Sequence, residues 1–419
     1  MSEAVATGTG DARRAGLPLA RLLVVMGGVY TIQSTVGAMM FQGVPTVLRS
    51  SGAALDLIGL VSLFMLPWAL KFLWSPQLES WRIPATGPRR SRGIVVGGQL
   101  TIAAILLGLA LYGIEDGFVW IFAAFGLIAL IASTVDIAGD GFMIEQIRLE
   151  HRGWGNVIQV GGGYAGIMIG TGLFLVLNDH FGWMTAVLTM TFVAVMLTTP
   201  FLFTPDPGKG GSEAARPRPS LMNAFRRPEI RWGLLAMLIA QMGLRLTQVM
   251  TGPFLIDNGM SAATIGILTG TIGTVLCIAC IVLTGLAIRR WNARRTLLVM
   301  LGIQTACFTM FAISAFVPQP ELVLSALYLV KSTVVAGTFV ALYTVVMDWT
   351  SQHQAGTDFT IFQCTDALVS VVAGFGSGII AEHLGFGICF NLAAGFAVAA
   401  LLFLPAIFKR ADLYTTNAD

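Results

Sequence analysis

The sequence predicts an all-α membrane protein with twelve transmembrane helices arranged as two six-helix bundles. Hydrophobic residues make up 55% of the 419 residues and charged residues only 11%, whereas soluble domains carry about 25% charged residues. Twelve apolar runs follow one another along the chain, and one long polar segment separates the sixth from the seventh. We therefore expect this chain to be embedded in a lipid bilayer.

Each apolar run is long enough to cross a hydrocarbon layer of about 30 Å at a rise of about 1.5 Å per residue. The runs lie at residues 22–48, 53–75, 92–113, 117–143, 154–178, 181–203, 231–256, 262–288, 296–317, 322–347, 357–380 and 386–408. The polar segment 204–230 is rich in Pro, Gly and charge, which is typical of a linker. We therefore expect an N-terminal bundle over 1–203, a cytoplasmic linker over 204–230 and a C-terminal bundle over 231–419.

Basic residues predict the orientation, because cytoplasmic loops of membrane proteins hold an excess of Lys and Arg. With the N-terminus inside, all but four of the 25 basic residues fall on cytoplasmic segments. The exceptions are Arg49 in an outward loop and Lys71, Arg245 and Lys331 within spans. Both termini are thus expected in the cytoplasm of a bacterium, with the protein in its inner membrane. The basic residues form no single patch, so a nucleic-acid partner is not expected.

Nothing in the chain suggests an enzyme or a bound cofactor. The five cysteines all lie inside apolar segments, and Cys277 and Cys280 form a CxxC pair without a second pair of ligands. Neither a metal site nor a disulfide framework is therefore indicated. We find no nucleophile–base pair, and GGGYAG at 161–166 follows no strand, so it is not a phosphate loop.

Two cations near the middle of the bilayer are the strongest candidates for a substrate site, because charges within spans are costly. Arg245 lies about 21 Å into the seventh span and Lys331 about 14 Å into the tenth. We find no acid at this depth in the second half. Gln241 and Gln248 share a helix face with Arg245, and Tyr328 lies one turn before Lys331.

These cations and amides predict a cavity that binds an anionic or chelate-bearing solute through charge-assisted hydrogen bonds. The alternative is that one of the cations pairs with carbonyls at a helix C-terminus or with a distant acid across the two halves. Gln33 and Gln159 are further candidates for the cavity, although an interhelical hydrogen bond explains each equally well. On this interpretation Arg245→Ala or Lys331→Ala abolishes uptake without lowering the protein level.

A second polar group lies near the cytoplasmic end of the fourth span. Asp136 and Asp140 are one helical turn apart, so they could titrate as a pair and couple transport to protons. Their depth favours a cytoplasmic gate instead, with the carboxylates held by Lys71 or by loop arginines such as Arg89 or Arg148. Asp348 is the corresponding acid of the second half and is assigned the same role.

Four segments carry a resemblance to a known family. They are LPWALKFLWSP at 66–76, DIAGDGF at 136–142, RGWGNVIQVGGGYAG at 152–166 and MDWTSQHQAGTDFTIFQ at 347–363. The chain resembles, over essentially its whole length, the ferric-siderophore permeases of the major facilitator superfamily, the group of the pyochelin and rhizobactin transporters. More distantly it is similar to the muropeptide and acetyl-coenzyme A permeases of that superfamily.

The resemblance implies a secondary active transporter, a symporter by analogy, that imports a ferric siderophore across the inner membrane. It also implies alternating access through rocking of the two bundles. The alternative is a permease for another anionic solute, such as a muropeptide or a drug, or a siderophore exporter. The expected arrangement is a monomer that carries a small anionic or iron-chelate substrate, with protons as a candidate coupled ion.

Overall fold

The computed structural model describes residues 17–84, 88–113, 117–147, 152–206, 225–347, 349 and 355–415. Every regular element in these ranges is helical, and each apolar run corresponds to one long helix. The helices are α1 (Leu19–Ser50), α2 (Leu55–Leu73), α3 (Ser75–Arg82), α4 (Ser91–Tyr112), α5 (Phe118–Gln146), α6 (152–181), α7 (183–202), α8 (Pro228–Asp257), α9 (Ala262–Trp291), α10 (Ala293–Ser314), α11 (Glu321–Met347), α12 (Ala355–Leu384) and α13 (Phe386–Thr415).

The all-helical fold with twelve spans is confirmed. By length and hydropathy the described residues give 11 candidate spans, one of which is the 45-residue segment Ile158–Leu202. Gly182 divides that segment into α6 and α7, because its φ of 79° and ψ of 171° are not helical. Only glycine adopts such a conformation without strain. The short helix α3 lies outside the spans, on the loop between α2 and α4.

Three of the long helices each contain one wide turn of π-helix. The turns lie at Met39–Gly43 in α1, Met168–Leu173 in α6 and Leu268–Gly273 in α9. In α8 the helix is interrupted at Val249 and Met250; Pro253, four residues after Val249, has no N–H to complete the hydrogen bond across the break. Irregular backbone at this depth is tolerated where it lines a cavity or is buried in protein.

The helices alternate between two sides of the molecule, which we name by the chain termini. On the terminal side, α1 begins and α7 ends together, since Arg21 Nη2 donates to the carbonyl oxygen of Phe203 at 2.7 Å. On the distal side, α2 begins beside the end of α12, where the Leu55 N–H donates to Glu382 at 2.6 Å. These two bonds place the start of α1 beside the end of α7 and the start of α2 beside the end of α12.

At the distal side the first six spans contact the last six through glycines. A Cβ atom on Gly59 of α2 would lie 2.9 Å from the Cα of Gly378 on α12. A Cβ on Gly172 of α6 would lie 2.7 Å from the Cα of Gly270 on α9. The helix backbones therefore touch directly, as small residues permit in membranes. We call these two crossings the distal glycine contacts.

An ion pair covers the same side. Arg49 at the end of α1 donates from Nε to Asp257 Oδ1 of α8 at 2.6 Å, and both side chains are partly exposed. Below this pair, a Cβ on Gly252 would clash with Thr46 Oγ1. The structure is thus closed at the distal side by backbone contacts and one surface ion pair.

We expect Arg49→Glu to weaken distal closure only modestly. An exposed pair contributes about 0.2–1 kcal/mol, so the distal-closed fraction should fall by no more than a few-fold. Asp257→Arg in the same chain should restore closure, because it recreates the pair in reverse. Double electron–electron resonance between labels on distal loops measures the populations. Failure of the reversed pair to restore closure would contradict an ionic role.

Candidate functional site

A cavity of about 480 Å³ lies between the two sets of spans, on the terminal side of the Gly172–Gly270 contact. Its walls come from α1 and α6 on one side and from α8, α9 and α11 on the other. The volume is that of a site for a small molecule. Thr46 and Gly252 lie at its distal end, where α1 and α8 are in contact.

Arg245 lines this cavity from α8, as its position in the seventh span predicts. Its guanidinium is held by a carboxylate: Nη2 lies 2.6 Å from Asp366 Oδ2, and Nε lies 3.2 Å from Oδ1. Both side chains are more than nine-tenths buried. The expectation that no acid lies at this depth in the second half is therefore wrong, because Asp366 is placed there on α12.

Two further groups complete the hydrogen bonding of this pair. Arg245 Nη1 donates to Gln248 Oε1 at 2.6 Å, one turn further along the same helix. Tyr343 of α11 donates from its hydroxyl to Asp366 Oδ2 at 3.2 Å. A buried ion pair is stable only when its remaining donors and acceptors are satisfied in this way. Gln248 also lines the cavity, as predicted.

Lys331 lines the same cavity from α11 and differs from Arg245 in its partners. Its ammonium donates to the hydroxyl of Thr251 just after the break in α8, and lies 6.0 Å from the ring centre of Phe311. Within the described part of the chain, Lys331 forms no ion pair. Tyr328, one turn away, also lines the cavity, and its hydroxyl is 2.6 Å from that of Thr269.

Three glutamines predicted to face the solute lie elsewhere. Gln241 is buried with its amide nitrogen unpartnered, and it is not part of the cavity wall. Gln33 lies against Asp136, where its amide can pair with both the carboxylate and the backbone N–H. Gln159 is exposed at the start of α6, outside the wall. The residues that take their place include Tyr164 of α6 and Phe339 of α11.

The predicted gate residues form a separate polar cluster in the first half. Lys71 of α2 donates to Asp136 Oδ2 of α5 at 2.7 Å, one of the pairings considered from sequence. Asp140 instead accepts a hydrogen bond from the Tyr30 hydroxyl at 3.1 Å. Arg89 pairs with Glu145 rather than with either aspartate. Asp348 and Arg148 lie outside the described residues, and the gating role stays a prediction.

Sequence comparison identifies the group to which this architecture belongs. The family model of the Major Facilitator Superfamily matches residues 22–347, which is well over half of the chain. The chain belongs to the Major Facilitator Superfamily. Among solved structures, the nucleoside transporter NupG superposes with a TM-score of 0.71 at 12% identity, over 93% of this chain and 99% of that one. The D-xylose–proton symporter superposes with a TM-score of 0.68 at 12% identity, over 92% of this chain and 96% of that one.

Among the curated relatives, the anhydromuropeptide permease of Escherichia coli strain K12 is 23% identical over 396 residues. The alignment covers 92% of this chain and 79% of the permease. This superfamily member is therefore a multi-pass permease for a small molecule. This match agrees with the more distant similarity to muropeptide permeases, and it does not support the resemblance to siderophore permeases.

Proposed function

We propose that this superfamily member moves a small organic anion across the bacterial inner membrane by alternating access. The observation that carries the proposal is the cavity between the two sets of spans with Arg245 and Lys331 in its wall. An ammonium without a carboxylate partner is costly inside a membrane unless water or a ligand solvates it. An anionic group beside Lys331 supplies that partner.

The two bundles, residues 1–203 and 231–419 joined by the linker 204–230, are proposed to rock about this cavity in a monomer. Distal closure together with the basic loops of the terminal side supports an inward-facing state, with both termini in the cytoplasm. Import needs the reverse state as well, in which the distal glycine contacts separate. Coupling to protons is proposed by analogy with the symporter of similar fold, with Asp136 and Asp140 as candidate carriers.

Two kinds of cargo are favoured by specific observations. Similarity of the motifs at 152–166 and 347–363 to siderophore permeases favours a ferric siderophore, and the curated relative favours a muropeptide. A deletion strain distinguishes them. Loss of growth on a ferric chelator as the sole iron source supports the first, and loss of labelled anhydromuropeptide uptake supports the second. Normal behaviour in both assays would contradict both cargoes.

We expect Lys331→Met to weaken transport of the anionic substrate without unfolding the protein. A hydrogen bond to a charged group contributes about 1.5–3 kcal/mol, so the apparent KM should rise roughly ten- to hundredfold. Methionine keeps the length of the side chain and leaves no buried charge behind. Lys331→Arg is the matched control and should retain part of the transport. An unchanged KM in Lys331→Met would place the site elsewhere.

A further inference from the structure

The cavity offers one unneutralised positive charge rather than two. Arg245 and Lys331 are the charged residues among those described in its wall, and no described Asp or Glu lines it. The charge of Arg245 is balanced by Asp366 behind it, through two nitrogen–oxygen contacts. Among the described residues, the partners of the Lys331 ammonium are the Thr251 hydroxyl and the Phe311 ring. A ligand in the cavity therefore meets a net charge of +1, which is that of the Lys331 ammonium.

Most hydroxyl groups of the wall already donate to helix carbonyls. Thr46 donates to Gln42 at 2.8 Å and Thr171 to Ala38 at 3.2 Å. Thr251 donates to Thr247 at 2.6 Å, and Thr269 to Ile265 at 2.8 Å. Their oxygens can still accept, and further polar groups of the wall include the amides of Gln42 and Gln248 and the hydroxyls of Tyr164 and Ser332. These groups are fewer than the hydroxyls of a sugar-rich body would require. Burying a polar group without a hydrogen-bond partner is unfavourable.

Most of the remaining wall is apolar or aromatic. Ile167 and Tyr164 of α6 form one side of it, Ile281 lies on α9, and Phe339 lies on α11. The Phe339 ring stacks on Tyr343 at 4.4 Å between ring centres, so it is held in place by the residue that hydrogen-bonds Asp366. Such surfaces bind rigid apolar and aromatic bodies through contact area.

We infer that the substrate is an amphiphile with a single negative charge, its anionic group on Lys331 and an apolar or aromatic body against α6 and α9. The inference rests on the proposed function and narrows it. A second negative charge would find only the neutralised Arg245–Asp366 pair and would lose its hydration without compensation. A body rich in hydroxyls would lose hydrogen bonds to water that the wall does not replace.

Four probes of related size test the inference by equilibrium binding to the purified full-length protein. They are 2-naphthoate, its neutral amide 2-naphthamide, the dianion naphthalene-2,6-dicarboxylate, and the polar monoanion N-acetylmuramate. We expect 2-naphthoate to bind at least tenfold more tightly than each of the others. Lys331→Met should remove its advantage over the amide, whereas Arg290→Met, at an exposed cation of α9 outside the wall, should preserve it.

The outcomes separate this inference from the proposed function. If the dicarboxylate binds more tightly than 2-naphthoate, the substrate does not carry a single charge. If N-acetylmuramate binds more tightly than 2-naphthoate, the substrate does not have an apolar body. In both cases the proposed transport of an anion is not contradicted. Equal binding of naphthoate and naphthamide to the wild type overturns both. Absence of binding by every probe overturns the inference, and uptake of a labelled chelator or muropeptide into cells then shows whether the proposed function survives.

Discussion

Asp366→Ala is expected to lower the free energy of unfolding by about 3–5 kcal/mol, because it leaves the guanidinium of Arg245 buried without its partner. The carboxylate is 7% exposed and the guanidinium side chain 9%, so little water reaches the orphaned charge. Unfolding of the purified protein in mixed detergent micelles measures the difference.

Two comparisons isolate the ion pair. Asp257→Ala removes an acid that pairs with an arginine at the surface, and it should cost no more than about 1 kcal/mol. The double variant Arg245→Met with Asp366→Leu should regain most of the stability lost by Asp366→Ala, because neither charge remains buried. A double variant as unstable as the single one would show that packing, rather than charge, holds α8 to α12.

This result bears on the sequence-based expectation for Arg245→Ala. Because sequence alone identifies no acid at the depth of Arg245, that variant is predicted to abolish uptake without lowering the protein level. The structure changes the expectation, since Arg245→Ala leaves Asp366 unpaired and should reduce the level as well. Lys331, which has no carboxylate partner among the described residues, is the better position at which to test the site.

Gly270→Trp is expected to nearly abolish transport while leaving the fold intact. Any Cβ at Gly270 would lie 2.8 Å from the Cα of Gly172, and close-packed backbones cannot absorb an indole ring. The distal side is then held open. In right-side-out vesicles, a cysteine introduced by Ile167→Cys in the cavity wall should become reactive toward an impermeant maleimide.

Gly285→Trp on the same helix is the matched control, since a Cβ there meets nothing within 4 Å. It should transport normally and leave the Ile167→Cys thiol unreactive from the distal side. Native cysteines are subtracted by labelling each protein without the introduced cysteine. Unimpaired transport by Gly270→Trp would mean that α6 and α9 do not need to touch during the cycle.

Much of the fold could be predicted from sequence because each span is fixed by one physical quantity, the free energy of burying apolar residues in lipid. The pairing of Lys71 with Asp136 was also within reach, since both residues lie near the ends of their spans at one side. Asp366 was missed although it lies well inside the eleventh span. The free-energy cost of placing Arg245 and Lys331 inside the membrane is itself a reason to search that span for a carboxylate.

Which face of a helix meets the cavity could not be predicted from span positions alone. Gln241 shares a face with Arg245 by spacing, but the cavity begins one turn later, at Leu244. Gln33 lies against Asp136 of α5, as the alternative of an interhelical hydrogen bond allowed, and Gln159 lies outside the wall. Helix rotation, which decides between the two placements, is set by neighbouring helices. Gly172 and Gly270 contact each other although they are far apart in the chain. The residues around each glycine do not indicate which distant glycine it contacts.

The Arg245–Asp366 pair also limits how this chain can diverge. Losing either residue alone leaves an orphaned charge in the membrane, whereas losing both is tolerable, so a lineage must cross an unfit intermediate to change one. Descendants should therefore keep both residues or have exchanged both, and positions 245 and 366 should covary across an alignment even where the cargo differs.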